Sequence, residues 1–355
     1  MDKKQKKVWI TVGAAVLGLG GVAALSYAAI STLMNVAMDR TMHEILPKPV
    51  IDKGKDKIAG SMDMTEFVQE VEGAAERLKE KENETVEITA RDGVRLVGHW
   101  IPCKRTRRVI IAMHGWRSSW NKDFGTIADF WNECGCDVLY AEQRAQGESG
   151  GDYMGFGMLE RYDCRDWVDY VVERTQGKMP IYLGGVSMGA TTVLMTAGLD
   201  LPGEVKGIMA DCGFTSPLAI WRHVMENNLH LSYSLYAPVI NELCKRRIQM
   251  NNNDYSTLDA MKVCHTPVLF IHGTDDTFVP VTMTYENYKA CAAEKRLLIV
   301  PGAGHGMSYY TDPESYRKAV LEFFKENDKR PIASPEDPTK SENENPDDSA
   351  PAEEE

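Results

Sequence analysis

Short runs of apolar residues recur through the middle and later parts of the chain, and they constrain the fold more than any other sequence feature. Each run has the length of a β-strand, and stretches with helical spacing separate the runs. The later runs are continuously apolar, as strands are when helices cover both faces of a sheet. We therefore predict a mostly parallel, doubly wound α/β sheet. The runs are "RRVIIAMHG", "CDVLYAEQR", "PIYLGGV", "VKGIMADCGF", "TPVLFIHG" and "KRLLIVPGAGH", preceded by two hairpin-like strands, "TVEITA" and "VRLVGHWI".

These runs place one α/β domain at residues 84–327. A segment rich in Trp, Tyr, Met, His and Asn separates two of the strand candidates, and we predict that residues 213–263 form an inserted helical cap. Residues 39–83 are polar with apolar positions at helical spacing, which indicates a stalk or a docking helix.

The N-terminal region has a different character. Residues 8–38 contain no charged side chain, and four lysines occur among the first seven residues. A membrane-spanning helix needs about 20 apolar residues, whereas a signal-peptide core has roughly 7 to 15. The length therefore favours an uncleaved transmembrane signal anchor, with cleavage near Ser26-Tyr27-Ala28, or a soluble or peripheral form, as the alternatives. The lysines predict a cytoplasmic N-terminus, residues 1–7, and a catalytic domain outside the cytoplasm.

The acidity of the chain is concentrated at its C-terminal end. The formal net charge is −12, and residues 328–355 alone carry ten acidic and three basic side chains together with five prolines. Such a composition cannot offset the entropy of ordering, so we predict a disordered acidic tail. Because no basic stripe is present, the sequence argues against a nucleic-acid partner.

Metal and cofactor motifs are missing from the sequence pattern. The eight cysteines are scattered without CxxC spacing, which disfavours a structural zinc site. No glycine-rich phosphate-binding loop occurs either. We therefore expect an activity that needs no cofactor and no metal.

The stretch "IYLGGVSMGATTV" places Ser187 between a strand and a helix. Gly185 and Gly189 flank it at two residues on either side. A strand that turns sharply into a helix strains the serine and brings the backbone close, so small flanking residues are required. Ser187 is therefore a candidate nucleophile, although the five-residue pattern alone is equally typical of a turn serine.

A serine nucleophile needs a histidine base and an acid that orients the histidine. The stretch "LFIHGTDDTFVP" ends a later strand with Asp275 and Asp276, and "LLIVPGAGHGMSYY" ends the next strand with the glycine-flanked His305. Residue chemistry alone does not separate the two aspartates. Asp211, at the end of "VKGIMAD", is a further alternative acid.

The joint occurrence of "MHGWRSS", "EQRAQGESGG", "GGVSMG", "HGTDDTFVP" and "GAGHGMSYY" resembles the α/β-hydrolase superfamily over about residues 84–327. The resemblance is strongest to bacterial membrane-anchored hydrolases related to prolyl-oligopeptidase-like and serine-aminopeptidase-like members. It implies Ser187 as nucleophile, Asp276 as acid and His305 as general base and acid. It also implies an oxyanion hole formed by the backbone amides of Met188 and Trp116.

The sequence departs from common relatives at two positions of the "EQRAQGESGG" stretch. Glu142 and Gln146 occupy positions where the resembling motif often has aspartate and histidine. The departure puts the hydrogen bonding of this loop in doubt, but it does not change the expected reaction class.

The resemblance implies a membrane-anchored serine hydrolase that cleaves carboxylic esters of small molecules through an acyl-enzyme. A serine peptidase acting on short peptides is the nearest alternative. Acyl transfer or thioester cleavage is another, and an inactive binding module with a hydrolase fold is the alternative from a different class.

Overall fold

A computed structural model of the protein describes residues 26–41 and 65–329. Eight strands form a single sheet in the order β1-β2-β4-β3-β5-β6-β7-β8. Strands β3 to β8 run parallel to one another, while β2 is antiparallel to both β1 and β4. The predicted mostly parallel α/β sheet is therefore confirmed. The strands are β1 Glu84–Thr89, β2 Arg95–Ile101, β3 Arg108–Met113, β4 Cys136–Ala141, β5 Ile181–Val186, β6 Val205–Asp211, β7 Val268–Gly273 and β8 Lys295–Val300.

Helices connect the parallel strands and cover the sheet on both faces. From residue 65 onward the helices are α1 Thr65–Lys79, α2 Trp120–Glu133, α3 Glu160–Thr175, α4 Met188–Thr196, α5 Pro217–His223, a π-helix Val224–Asn228, α6 Tyr233–Ile248, α7 Thr257–Lys262, α8 Val281–Ala290, α9 Ser308–Thr311 and α10 Pro313–Asn327.

The central strands bury side chains on both faces. In β3, Val109 and Ile111 pack with α3, α4 and α7, whereas Ile110 and Ala112 pack with α2 and α10 on the opposite face. This alternation within a continuously apolar strand explains why the run shows no polar positions. Because β5, β7 and β8 run parallel, their carboxyl ends lie at one edge of the sheet, where polar residues follow the strands.

The segment between β6 and β7 is helical from residue 217 to residue 262, with interruptions, and lies within the range predicted for the cap. Helix α5 begins sharply because Ser216 accepts a hydrogen bond from the backbone of Ala219, and Pro217 occupies the first turn. Ile220, Trp221 and Met225 from this insertion are buried beside the carboxyl edge of the sheet.

Residues 26–38 are helical and pack against the same edge. Ile30, Met34 and Met38 are buried among side chains of the helical insertion and of the loop after β4. Asp39 forms an isolated antiparallel bridge with Tyr153, so the chain leaves the helix as a short extended segment. We call residues 26–41 the N-terminal segment.

The predicted membrane anchor extends to residue 38, and its last part needs correction. Within residues 26–38, Ile30, Met34 and Met38 are buried against the domain, so these three side chains are not available to lipid, whereas Tyr27 is exposed. In the described part of the chain, no helix is both long and apolar enough to cross a membrane. The remainder of the predicted anchor, residues 8–25, lies outside the described residues.

Two further predicted boundaries can be compared with the structure. Within the predicted stalk, α1 packs closely against α2, and Gly125 of α2 lies so near Ala74 that a Cβ there would be 2.7 Å from the Ala74 backbone. Asp328, predicted to open the disordered tail, instead pairs with Arg108 at 2.5 Å and belongs to the folded domain. Residues 330–355 lie outside the described residues.

Candidate active site

Ser187 lies at the turn between β5 and α4. Its backbone has φ 55° and ψ −117°, a conformation that is strained for a residue with a Cβ atom. The turn is held by a hydrogen bond of 2.9 Å from the Ser187 amide to the carbonyl of Asp211 on the neighbouring strand. The serine is largely buried, with 7% of its surface exposed, and its hydroxyl faces the carboxyl edge of the sheet.

The two flanking glycines are required by the close approach of backbone atoms. A Cβ on Gly185 would lie 2.3 Å from the carbonyl oxygen of Gly189. A Cβ on Gly189 would lie 1.8 Å from the carbonyl oxygen of Met113 in β3. Helix α4 therefore starts directly against β3, which brings the serine close to the loop that follows β3.

His305 connects Ser187 with Asp276. Its Nε2 lies 2.9 Å from the Ser187 hydroxyl, and its Nδ1 lies 2.7 Å from Asp276 Oδ2. Because an ionised carboxylate only accepts hydrogen bonds, Nδ1 carries the proton and Nε2 accepts from the serine. The structure thus brings together three residues that the sequence analysis singled out at three separate strand ends.

Asp276 is held by its own loop and by a second histidine. Its Oδ1 accepts from the amides of Phe278 and Val279 at 2.9 and 2.8 Å. The buried His272 donates through Nε2 to Asp276 Oδ2 at 3.1 Å. This contact was not predicted, and the spacing of four residues between His272 and Asp276 was its only signal in the sequence.

The charges of Asp276 and His305 shift each other's pKa. Burial alone would lower the pKa of His305, but the carboxylate of Asp276 outweighs burial and raises the pKa well above the ordinary histidine value. For Asp276, burial acts in the opposite direction and would raise the pKa. The charge of His305 and the hydrogen bonds from His272 and His305 outweigh burial, so the pKa of Asp276 lies below its ordinary value. Asp276 therefore remains ionised across the physiological pH range.

The carboxylates of the other two candidate acids have different hydrogen-bond partners. Asp275 is exposed, and its carboxylate accepts from the hydroxyl of Thr274 at 2.6 Å. Asp211 is buried and accepts from Ser308 at 2.9 Å. Burial raises the pKa of Asp211 to about 6, although the bond from Ser308 partly offsets this rise.

Cys212 lies beside Asp276 and His305. Its sulfur lies within 4.8 Å of ligand atoms of Asp276 and His305, so these three residues could in principle hold a metal ion. Both nitrogens of His305 are already engaged by Ser187 and Asp276, which disfavours a resident metal. Burial raises the pKa of the Cys212 thiol to about 11, so the thiol is a poor nucleophile at neutral pH.

The loop after β3 carries Trp116, one of the two predicted oxyanion donors; Met188, the other, is the first residue of α4. Gly115, immediately before Trp116, would place a Cβ 3.4 Å from that of Ser187, so the loop lies directly beside the nucleophile. The indole of Trp116 donates to the carbonyl of Ala37 at 2.7 Å and is therefore already engaged. Within residues 26–41 and 65–329, neither the Trp116 amide nor the Met188 amide donates to a protein acceptor.

Several polar contacts hold this loop in place. Asp123 accepts from the Gly115 amide at 2.6 Å, and Gln146 accepts from the Arg117 amide at 2.6 Å. Arg117 itself has φ 50°, an unusual value for a residue with a side chain. Gln146, at a position where the resembling motif often has histidine, therefore holds the loop as an acceptor, and Glu142 pairs with His99 at 3.0 Å.

Two cavities meet at Ser187. A cavity of about 320 Å³ has His305, Gly306 and Lys122 among its lining residues. A second cavity of about 120 Å³ is lined by apolar side chains of the N-terminal segment and of the helical insertion. Trp116 and Phe278 border both cavities, as does the serine.

Comparisons with known proteins agree with this arrangement. The sequence profile described as serine aminopeptidase, S33, matches residues 104–258. The uncharacterized protein YqkD of Bacillus subtilis is 31% identical over 196 residues, which cover 54% of this chain and 63% of YqkD. The chain thus spans less than two thirds of that relative's length. The uncharacterized protein YfhR of Escherichia coli K12 is 24% identical over 250 residues, covering 68% of this chain and 80% of YfhR.

Among solved structures, an esterase of Pyrococcus furiosus, Pf2001, superposes with a TM-score of 0.56 at 26% identity, covering 69% of this chain and 91% of the esterase. An acylaminoacyl peptidase of Pyrococcus horikoshii has a TM-score of 0.54 at 18% identity, covering 71% of this chain and 42% of the peptidase. The latter likeness concerns the fold alone. Together with the sheet order and the nucleophile turn, these similarities show that the chain belongs to the α/β-hydrolase superfamily.

Proposed function

We propose that this protein is a serine hydrolase that cleaves carboxylic esters of small molecules through an acyl-enzyme on Ser187. The observation that carries the proposal is the continuous chain of contacts from the Ser187 hydroxyl through His305 to Asp276, beside an apolar cavity. A serine held by an oriented histidine is the arrangement that turns a poor nucleophile into an effective one.

In the first half-reaction, Ser187 Oγ attacks the ester carbonyl while its proton passes to His305 Nε2. Asp276 stabilises the imidazolium that forms, without itself taking the proton. The carbonyl oxygen becomes negatively charged, and the backbone amides of Trp116 and Met188 are the donors proposed to stabilise it. Collapse of the tetrahedral intermediate expels the alcohol, which takes the proton from His305.

In the second half-reaction, a water molecule attacks the acyl group bound to Ser187. His305 removes a proton from this water as it attacks and then returns a proton to the serine oxygen. The products are a carboxylic acid and the restored serine. Every proton transfer uses the same imidazole nitrogen, so both half-reactions depend on the distance of 2.9 Å between His305 and Ser187.

The preference for esters over peptides is supported by the smaller cavity, whose lining in the described part of the chain carries no charged side chain. A peptidase that cuts near a terminus needs a charged group to bind that terminus, and the helical insertion contains three arginines, a residue type that could bind a terminal carboxylate. Arg222 stacks on Tyr233, Arg246 pairs with Glu242 and Arg247 contacts Asn35, and none of the three lines either cavity. Lys122 is a basic side chain at the larger cavity.

The ester proposal is tested by comparing kcat/KM for p-nitrophenyl esters with kcat/KM for aminoacyl and prolyl p-nitroanilides. Esters should be cleaved at least tenfold faster by this measure, and Ser187→Ala should abolish both activities. An amide preference of tenfold or more would favour the peptidase alternative suggested by the S33 match. Labelling of Ser187 by a fluorophosphonate probe separates any enzyme from an inactive binding module.

We also propose that residues 8–25 anchor the protein in the membrane. This stretch has 18 residues without a charge, within the range of a spanning helix, and four lysines precede it. The proposal places the N-terminus in the cytoplasm and the catalytic domain on the outer face of the cell membrane. Protease added to intact cells should then digest the domain, and protection of the domain until lysis would contradict this orientation.

A further inference from the structure

The two cavities at Ser187 differ in their relation to His305. His305 and Gly306 line the larger cavity and are not among the residues that line the smaller one. The smaller cavity is bounded almost entirely by apolar side chains. The two halves of an ester substrate therefore meet different surroundings on the two sides of the nucleophile.

The direction of proton transfer assigns each half of the substrate to a cavity. His305 must give its proton to the departing alcohol oxygen, and it must later take a proton from the attacking water. Both groups therefore approach on the side where His305 is exposed, which is the larger cavity. The acyl group is left with the smaller, apolar cavity.

One wall of that smaller cavity comes from the N-terminal segment. Leu33, Met34, Val36 and Ala37 line it, facing Ile220, Trp221 and Met225 of the helical insertion. Residues 33–37 precede the region matched by the S33 profile, which starts at residue 104. The last part of the uncharged N-terminal stretch thus lines the smaller cavity directly.

Hydrogen bonds fix this wall to the loop beside the nucleophile. The indole of Trp116 donates to Ala37, and the guanidinium of Arg117 donates to the carbonyls of Val36 at 2.7 Å and Asp39 at 2.6 Å. Met154 donates to the carbonyl of Met38 at 2.8 Å. Because Trp116, Arg117 and Met154 hold this wall in place, it can discriminate between acyl groups by size.

We propose that residues 33–37 form the acyl-specificity wall of the active site, and that the site selects esters of short aliphatic acids. This proposal rests on the ester-hydrolase function proposed above. The cavity measures about 120 Å³. An apolar cavity of about 150 Å³ holds benzene, so this one holds about four to six acyl carbons.

The test measures kcat/KM of the full-length protein for p-nitrophenyl esters from acetate to dodecanoate. The unmodified protein should prefer butanoate and hexanoate. Ala37→Phe fills the cavity and should lower the hexanoate-to-acetate ratio at least tenfold, because a hydrophobic pocket discriminates by about tenfold or more per methylene. Met34→Ala enlarges the cavity and should move the optimum to octanoate or longer.

The matched control is Met38→Ala. Met38 is buried in the same helix, and it does not line the cavity. Its truncation should lower Tm as Met34→Ala does, because both leave a void, but it should not change the order of the esters.

Two outcomes would overturn the proposal, and they are distinguishable. If Ser187-dependent ester hydrolysis occurs but neither Ala37→Phe nor Met34→Ala changes the chain-length profile, the acyl group lies elsewhere and the proposed function stands. If the folded protein shows no Ser187-dependent hydrolysis of any ester, the proposed function fails and this proposal fails with it.

Discussion

Asp275 and Asp276 are adjacent in the chain, yet only Asp276 places its carboxylate against His305. Asp276 lies 2.7 Å from the imidazole and is buried, whereas Asp275 is exposed and contacts the hydroxyl of Thr274. The difference arises because the amides of Phe278 and Val279 hold the Asp276 side chain towards the interior. Two residues with the same chemistry therefore have different expected roles.

Asp276→Asn should lower kcat by about 10⁴, because an amide cannot hold the required histidine tautomer or stabilise the imidazolium. Ser187→Ala and His305→Ala should cause losses of the same order or greater, since the three residues act as a unit. The control Asp275→Asn should keep at least a third of the activity. Steady-state hydrolysis of a p-nitrophenyl ester measures all four variants, and reversed results for the two aspartates would assign the acid to Asp275.

The pH dependence of kcat/KM should reflect the raised pKa of His305. The histidine acts as a base only when neutral, so activity should rise with pH through this pKa, and the midpoint should lie above the ordinary value of about 6.5. Asp276→Asn removes the charge that raises the pKa, so the residual activity of that variant should rise at a lower pH. An unchanged midpoint in Asp276→Asn would contradict the coupling.

Asp211→Asn should retain activity and alter the pH dependence of stability. The pKa of Asp211 is about 6 in the folded protein, above the value of about 3.9 expected for an unfolded chain. The folded state therefore binds the proton more tightly, and stability from this group is present below pH 4 and is lost as the pH rises through 6. Asparagine does not titrate and can still accept from Ser308.

The difference in unfolding free energy between Asp211→Asn and the unmodified protein should therefore grow between pH 4.5 and pH 7. Two pKa units correspond to about 3 kcal/mol, which is the upper limit for this change. Urea titrations at the two pH values measure it. A constant difference would show that Asp211 stays ionised in the folded protein.

Gly189→Ala should disrupt the nucleophile turn, since its Cβ would lie 1.8 Å from a backbone carbonyl oxygen in β3. Overpacking of this kind costs typically 1–3 kcal/mol, and here rigid backbone on both sides leads us to expect about 3 kcal/mol or more. Gly93→Asn is the control, because Gly93 has φ 88° with nothing within 4 Å of its Cβ position, and asparagine tolerates a positive φ. Thermal unfolding should separate the two variants clearly, and equal Tm values would contradict the argument.

The sequence predicted the strand ends because parallel strands leave a strong signature. When a continuously apolar run forms a parallel strand, the polar residue that follows it lies at the carboxyl edge of the sheet. This holds independently of the helices between the strands. This reasoning located Ser187, His305 and the pair Asp275 and Asp276, and only the resemblance to α/β-hydrolases favoured Asp276 of the two. It did not separate Asp275 from Asp276, since the direction of each side chain depends on backbone amides within the loop.

The N-terminal segment and the loop contacts were not predictable in this way. Residues 26–38 are uncharged, and an apolar surface gives the same sequence pattern whether it packs on a domain or lies in lipid. Met34 and Met38 therefore appeared as part of a membrane span. Asp123 and Gln146 were also not predicted to hold the loop after β3, because they accept from the backbone amides of Gly115 and Arg117, whose positions no residue pattern reveals.

The proposed mechanism requires a covalent intermediate at Ser187, and the direct measurement is mass spectrometry of the protein quenched in acid during turnover of p-nitrophenyl butanoate. We expect a mass increase of one butanoyl group, located on the peptide that contains Ser187, together with a burst of p-nitrophenolate of about one equivalent. Ser187→Ala should show neither signal. Turnover by the unmodified protein without any adduct on Ser187, or with an adduct on another residue, would contradict the central claim.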